Sequence, residues 1–125
     1  MIDQAIQNYE KANQLKPHKP LVELSLAQSY LEKKDKKLAS KALPILRQAT
    51  LSEPDLALAW LLMASAYNLV EQNAEAEYAM VEYERASDKL PAAQQRAKKL
   101  LEKFKSDTPY HQRLKDILAL KTNEE

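Results

Sequence analysis

The stretch PDLALAWLLMASAYN, residues 54–68, is the most apolar part of the chain and decides which fold the sequence predicts. Between Leu56 and Tyr67 its one polar residue is Ser65. A helix that spans a bilayer needs about 20 apolar residues, and charged residues bound this run before that length is reached. We therefore expect no membrane span but a helix near residues 55–70, covered by other helices on most of its circumference.

Composition restricts both the fold and the kinds of site. The 125 residues fit one domain, residues 1–125, and include neither cysteine nor glycine. Disulfides, thiolate metal sites and glycine-rich phosphate loops are therefore excluded. Nineteen basic and eighteen acidic residues leave a net charge of +1, which argues against nucleic acid as a partner. Ala, Leu, Glu, Gln and Lys dominate, and all favour helices, so the sequence predicts an all-α protein.

Prolines and polar breaks divide the chain into helices. Pro54 and Asp55, for example, are typical of the start of a helix. The connections are short, which predicts that neighbouring helices pack antiparallel as helical hairpins. We expect a frayed tail at 122–125 and seven helices, near residues 2–15, 20–33, 37–51, 55–70, 73–88, 91–105 and 109–121.

The chain repeats itself with a period of 37 residues. Small alanines recur where two helices can cross closely, with a larger side chain beside each crossing. One hairpin cannot bury its apolar faces alone, so the repeats are expected to stack. The equivalent pairs are Ala5 and Ala42, Tyr9 and Leu46, Ala12 and Ala49, Pro17 and Pro54, Ala27 and Ala64, and Tyr30 and Tyr67.

These motifs resemble the tetratricopeptide repeat (TPR). The resemblance implies a TPR-like α-solenoid, with clear repeats over 2–83 and a degenerate repeat with capping helices over 84–121. The sequence departs from the family in its period, since the typical repeat has 34 residues, and in lacking the usual glycines. The matching residues are Trp60, Ala64 and Tyr67 in a first helix, and Ala42, Leu46, Ala49 and Pro54 in a second helix.

A closer resemblance concerns LVELSLAQSYL, ALAWLLMASAYN and the closing pattern P-x-H-x-R-L-K-D-I-L. Together they are similar to the C-terminal TPR segment of periplasmic HExxH zinc metalloproteases of the beta-barrel assembly-enhancing type. The resemblance implies a non-catalytic, protein- or peptide-binding part of such a protease, located in the bacterial periplasm. The catalytic domain would lie outside this chain and would be one of its partners. The alternative is a stand-alone cytoplasmic TPR adaptor or scaffold in a multiprotein complex.

No group of residues in the sequence predicts catalysis. The two histidines, His18 and His111, are 93 positions apart, and neither has a partner at the spacing of zinc ligands. No nucleophile with a base can be assembled from spacing alone. We therefore expect no enzyme activity, no metal and no cofactor for this chain, and a protein or peptide as its partner.

The first helices of stacked hairpins line a concave surface, which such proteins use for binding. The predicted groove is mainly aliphatic, with a strip of uncharged hydrogen-bonding groups, and suits an apolar helix or an extended peptide. It lacks the cations of TPR grooves that bind a terminal carboxylate. The alternative is that the C-terminal helices or a catalytic domain fill this groove. The candidate residues are Leu21, Leu24, Gln28 and Leu31, followed by Leu58, Leu61, Ser65 and Asn68.

The N-terminal helix offers a second candidate surface. Met1 begins in what should be the second helix of a repeat, whose first helix is absent from the sequence. Ile2, Ile6 and Tyr9 would then form an uncovered apolar stripe. We expect either a piece of a longer chain or a homodimer that pairs through this helix.

Overall fold

The structure is a computed structural model that describes residues 2–15 and 19–121. Within these residues there are seven α-helices, a short 3-10 helix at Leu101–Lys103 and no β-strand, which confirms the all-α prediction. None of the helices in the described part of the chain combines the length and apolarity needed to cross a membrane. The helices are α1 (Ile2–Leu15), α2 (Pro20–Glu32), α3 (Lys36–Ser52), α4 (Ala57–Leu69), α5 (Asn73–Ala86), α6 (Leu90–Leu100) and α7 (Pro109–Leu118).

Each helix packs against its neighbours in the chain, and α2 also packs directly against α4. The connections 33–35, 53–56, 70–72 and 87–89 are short, so consecutive helices run antiparallel and α2 runs parallel to α4. This arrangement is compatible with an α-solenoid. Small side chains contribute to the core between the helices, and the fully buried ones are Ala27, Ala39, Ala42, Ala59, Ala66, Ala79, Ala93 and Ala97.

Four helix ends differ from the prediction by at least two residues. Helix α5 ends at Ala86 instead of residue 88, and α7 ends at Leu118 instead of residue 121. Long-range contacts determine the other two, which are the start of α4 and the end of α6. Helix α4 begins at Ala57, and Pro54 and Asp55 lie in the preceding turn. The Pro54 carbonyl accepts hydrogen bonds from Trp60 Nε1 at 2.8 Å and from Arg85 Nη2 at 2.6 Å. The Asp55 carboxylate accepts a third, from Arg85 Nη1 at 2.8 Å. The turn is therefore bound to α5, and Asp55 pairs with a side chain instead of starting the helix.

Helix α6 ends at Leu100, earlier than the predicted residue 105. After the 3-10 helix the backbone at Phe104 is extended, with φ −118° and ψ 139°. This change of direction brings the Phe104 ring onto Tyr110 of α7, with ring centroids 4.8 Å apart. The stacking of Phe104 on Tyr110 offsets the hydrogen bonds that the last predicted turn of the helix would have formed.

A proline lies inside α3 and does not end it. Pro44 is exposed, and the helix continues for two turns beyond it. The pyrrolidine ring removes the N–H that would bond to the carbonyl of Ser40. Ser40 is also exposed, so water can reach this side of the helix and the lost hydrogen bond costs less than it would in the core.

Three helices are each followed, two positions after their last residue, by a residue in the left-handed conformation, although the chain contains no glycine. These residues are Lys34, Glu71 and Asp88, with φ of 53°, 63° and 60°. After α5, the Lys89 N–H donates to the Glu84 carbonyl at 2.9 Å and the Asp88 N–H donates to the Arg85 carbonyl at 3.3 Å. This is the hydrogen-bond pattern of a Schellman motif, in which glycine is preferred at the left-handed position.

Replacing Asp88 with glycine is expected to stabilise the protein by about 0.5–1 kcal/mol, because glycine adopts a positive φ without steric cost. Asp88→Ala is the matched control and is expected to be less stable than Asp88→Gly by about 1 kcal/mol, since alanine keeps the Cβ that opposes this conformation. Urea denaturation of the three proteins measures both differences. Equal stability of the glycine and alanine variants would contradict the explanation.

Candidate functional site

A groove lies between α2 and α4, near the C-terminal ends of both helices. Its cavity has a volume of about 420 Å³, within the range of about 300–1,000 Å³ that is typical of ligand sites. Most of the surface that lines it is apolar. Helix α2 and the turn after it contribute Gln28, Leu31, Glu32 and Lys34, and α4 contributes Leu62, Ser65, Asn68 and Leu69. We call this cavity the α2–α4 groove.

The groove joins equivalent positions of two repeats. Gln28 and Ser65 are 37 residues apart in the sequence, and so are Leu31 and Asn68. Four of the eight predicted binding residues therefore line one cavity. The repeat places them together because α2 and α4 are parallel neighbours with the same face turned toward the groove.

Three of the remaining predicted residues form an aliphatic surface further along the same two helices. Leu21, Leu58 and Leu61 are 81%, 44% and 37% exposed. Leu21 precedes Gln28, and Leu58 precedes Ser65, by about two helical turns, so the side chains project on the same face. We call these three residues the leucine patch, and they extend the α2–α4 groove toward the N-terminal ends of α2 and α4.

The structure corrects the prediction for Leu24 and Leu31, whose side chains are each only 8% exposed and belong to the core. The exposed line of α2 passes through Leu21, Gln28 and Glu32. A helix turns by about 100° per residue, so Leu24 and Leu31 lie roughly 60–80° away from that line, toward the neighbouring helices. Leu31 still reaches the floor of the groove, whereas Leu24 contributes to packing alone.

Four residues of the groove were missed by the sequence prediction: Glu32, Lys34, Leu62 and Leu69. The 37-residue period could have identified Glu32 and Leu69, since they are equivalent positions directly after Leu31 and Asn68. Lys34 follows the end of α2, where its left-handed backbone directs the chain away from the helix. Its presence corrects the expectation that the groove lacks cations.

The uncharged polar side chains at the groove have hydrogen-bonding groups that no other described residue uses. Gln28, Ser65 and Asn68 are exposed, and none of the three side chains forms a hydrogen bond with another residue of the described ranges. Each side chain contains both a donor and an acceptor. The groove therefore combines an apolar floor with hydrogen-bonding groups of both kinds at its edges.

The predicted stripe of α1 is partly used inside the protein. Ile6 is 8% exposed and lies in the core against α2, so it is not available for self-association. Ile2 is 37% exposed and Tyr9 is half-buried. The hydroxyl of Tyr30 donates a hydrogen bond to the Glu10 carboxylate, and this bond connects α2 to α1. Burial of Tyr30 and the nearby Glu10 carboxylate raise the pKa of the tyrosine.

A buried carboxylate, that of Glu82, binds side chains of α5 and α7. We call Glu82, Tyr78, Arg85 and Arg113 the Glu82 cluster. Glu82 is 2% exposed. Its carboxylate accepts hydrogen bonds from Arg85 Nε at 2.7 Å, from Arg113 Nε at 2.9 Å and from the Tyr78 hydroxyl at 2.6 Å. Burial by itself would raise the pKa of Glu82, but the hydrogen bonds from Arg113, Tyr78 and Arg85 outweigh it, so the pKa lies below its ordinary value.

This cluster is a structural connection. Glu82 and Arg85 belong to α5, Arg113 belongs to α7, and Arg85 also binds the turn before α4. Side chains of Tyr78, Arg85 and Arg113 bind the Glu82 carboxylate, and almost none of its surface meets solvent. Aromatic packing runs beside it, with the Tyr78 and Tyr110 ring centroids 5.1 Å apart.

Within residues 2–15 and 19–121, no three His, Cys, Asp or Glu side chains form a group that could hold a metal ion. His111 lies in the first turn of α7, where its backbone N–H donates to Thr108 Oγ1 at 3.3 Å. His18 lies outside the described residues.

Comparison of the chain with models of known protein families finds no match, and a search of curated protein sequences finds none either.

Proposed function

We propose that this chain is a protein- or peptide-binding module of the TPR type, which binds its partner in the α2–α4 groove. The observation that carries the proposal is the combination of an apolar cavity of about 420 Å³ with three exposed side chains that have unused hydrogen-bonding groups. Such a combination is typical of sites that bury apolar side chains and orient their ligand through a few polar contacts.

The alternative that the C-terminal helices fill the groove has no support in the lining of the cavity. All of its lining residues come from α2, from the turn after it and from α4. Helices α5, α6 and α7 contribute none among the described residues. The cavity is thus open to a partner from outside the described part of the chain.

We further propose, from the sequence resemblance alone, that the module belongs to a zinc-dependent metalloprotease of the bacterial periplasm and has no catalytic role of its own. The stand-alone adaptor remains the second candidate. An H-E-x2-H helix in the same polypeptide would favour the protease, and a polypeptide without one would favour the adaptor.

Binding in the groove can be tested by filling it. Ser65→Trp places a large side chain in the α2–α4 groove and is expected to reduce the binding of peptides by at least about tenfold, since the lost apolar burial is worth about 1.5–3 kcal/mol. An array of octapeptides, acetylated and amidated at their ends, provides the probes. The readout is the set of peptides that the wild-type protein retains.

Ser40→Trp is the matched control, because Ser40 is an exposed serine on α3 and lies outside the groove. This variant is expected to retain the same peptides as the wild type. Far-UV circular dichroism confirms that both variants keep their helices. Loss of binding in both variants, or in neither, would contradict the proposed site.

A further inference from the structure

We infer that α7 is a releasable cap, which detaches from α5 and α6 and loses its helical structure as one unit while α2 to α6 stay folded. The inference is independent of the proposed function, because α7 contributes no described residue to the lining of the α2–α4 groove. Four features carry it: the segment that joins α7 to the chain, the origin of its C-terminal cap, its small buried face, and the contacts that Glu82 keeps without it.

A non-helical segment, residues 104–108, separates α7 from the helices before it. The backbone is extended at Phe104, with φ −118° and ψ 139°, and again at Thr108, with φ −90° and ψ 151°. Helix α7 therefore does not continue the hydrogen-bond ladder of α6. Its departure leaves the backbone hydrogen bonds of α6 intact.

The C-terminal end of α7 is capped by a side chain of another helix. Gln94 of α6 donates from Nε2 to the carbonyls of Ile117 at 3.1 Å, Leu118 at 3.4 Å and Leu120 at 2.8 Å. The last carbonyls of a helix have no partner inside the helix, so this cap exists only while α7 lies on α6. Helix α7 has 10 residues, and isolated helices shorter than about 12–15 residues are marginal in water. Released α7 is therefore expected to unfold.

The buried face of α7 is small. Its buried residues are Leu114 and Ile117, whereas α4 buries six residues and α2 buries seven. The backbone of α7 packs against α6 and the 3-10 helix, at the end of the stack. Regions with few buried apolar contacts open at a lower free energy than the core does. The opening of α7 is therefore expected to need less free energy than unfolding of the whole protein.

Glu82 keeps two partners when α7 leaves. Arg113 of α7 is lost from the Glu82 cluster, but Arg85 Nε at 2.7 Å and the Tyr78 hydroxyl at 2.6 Å still donate to the carboxylate. Removing one partner from a buried ion pair is costly because it leaves a buried charge uncompensated. Here Arg85 still compensates the charge, so α5 is expected to keep its structure without α7.

Release of α7 uncovers one face of α5. Tyr110 packs on Tyr78, with ring centroids 5.1 Å apart, and Arg113 lies on Glu82. Tyr78 and Glu82 are both buried while α7 is in place. Helix α7 thus determines whether an aromatic ring and a carboxylate of α5 are accessible from outside.

Amide hydrogen exchange measured by NMR tests the release. In the wild type, the amides of residues 113–118 are expected to share one free energy of opening. After correction for intrinsic rates, they are expected to exchange at least about 100-fold faster than the amides of α4. Gln94→Ala removes the cap and is expected to raise the exchange rates in α7 by about tenfold. It is expected to leave those of α4 unchanged.

Gln95→Ala is the matched control, because Gln95 is exposed and is the next residue of the same helix. It is expected to leave exchange in α7 and α4 unchanged. The inference is overturned if α7 exchanges as slowly as α4, or if protection changes gradually from residue to residue along α7. It is also overturned if Gln94→Ala accelerates α4 as much as α7, or if the two variants have equal effects. Peptide binding in the α2–α4 groove is tested separately by Ser65→Trp.

Discussion

Glu82→Gln is expected to lower the free energy of unfolding by about 3–5 kcal/mol, which is the usual cost of removing one partner from a buried ion pair. The substitution leaves Arg85 and Arg113 without their shared carboxylate. It also removes the negative charge of the carboxylate that accepts the hydrogen bond from the Tyr78 hydroxyl. Because this cluster connects α5, α7 and the turn before α4, the loss is expected to affect the whole C-terminal half. Urea denaturation followed by circular dichroism measures it.

Glu77→Gln is the matched control on the same helix. The carboxylate of Glu77 pairs with Lys103 at 3.4 Å, and both side chains are about half exposed. Such a pair contributes about 0–1 kcal/mol. If Glu82→Gln and Glu77→Gln lowered the free energy of unfolding equally, burial of Glu82 would not explain its contribution to stability.

The Glu82 contribution is also expected to depend on pH. The pKa of Glu82 in the folded protein lies below its ordinary value of 4.5. The stabilisation is therefore fully present above pH 4.5 and is lost as the pH falls through the lower, folded-state pKa. The difference in stability between the wild type and Glu82→Gln is expected to shrink in acid. A difference that grows below pH 4.5 would contradict the assigned direction.

Trp60→Ala is expected to destabilise the protein by about 3–5 kcal/mol, since it opens a large cavity in the core. Trp60 is 7% exposed, and its ring meets the edge of Tyr78 with centroids 5.9 Å apart. Its Nε1 also donates to the Pro54 carbonyl, which holds the turn before α4. Trp60 is the one tryptophan of the sequence, so unfolding must be followed by circular dichroism in place of tryptophan fluorescence.

Trp60→Phe removes the hydrogen bond of Trp60 and keeps most of the volume of its ring, so it separates the two contributions to stability. Phenylalanine keeps most of the apolar contact, and the Pro54 carbonyl still accepts from Arg85. The expected loss is therefore smaller, about 1–2 kcal/mol. A loss as large as that of Trp60→Ala would assign the effect to the hydrogen bond.

The positions of the helices could be predicted from the sequence because helix-forming residues alternate with short polar or proline-containing breaks. Two of the four helix ends that differ, the start of α4 and the end of α6, are set by partners elsewhere in the chain. Asp55 pairs with Arg85, thirty positions later, and Phe104 leaves the helix to stack on Tyr110. Local patterns contain no information about such contacts.

The face of α4 that lines the groove could be predicted from the sequence, and that of α2 only partly. In α4 the polar Ser65 and Asn68 mark the exposed side, and Leu58 and Leu61 continue it. In α2 apolar residues surround the helix, so periodicity could not place the exposed line to within one residue, and Leu24 was assigned to the wrong face. The Glu82 cluster escaped prediction because its members are separated by up to 31 residues.

Binding in the α2–α4 groove is tested most directly by locating a bound peptide by NMR. A peptide retained by the wild-type protein is added to ¹⁵N-labelled protein, and the shifts of backbone and side-chain amides are followed. We predict that the largest changes occur at the carboxamides of Gln28 and Asn68 and at the backbone amide of Ser65. Changes concentrated on α6 and α7, with these three residues unaffected, would show that the α2–α4 groove is not the binding site.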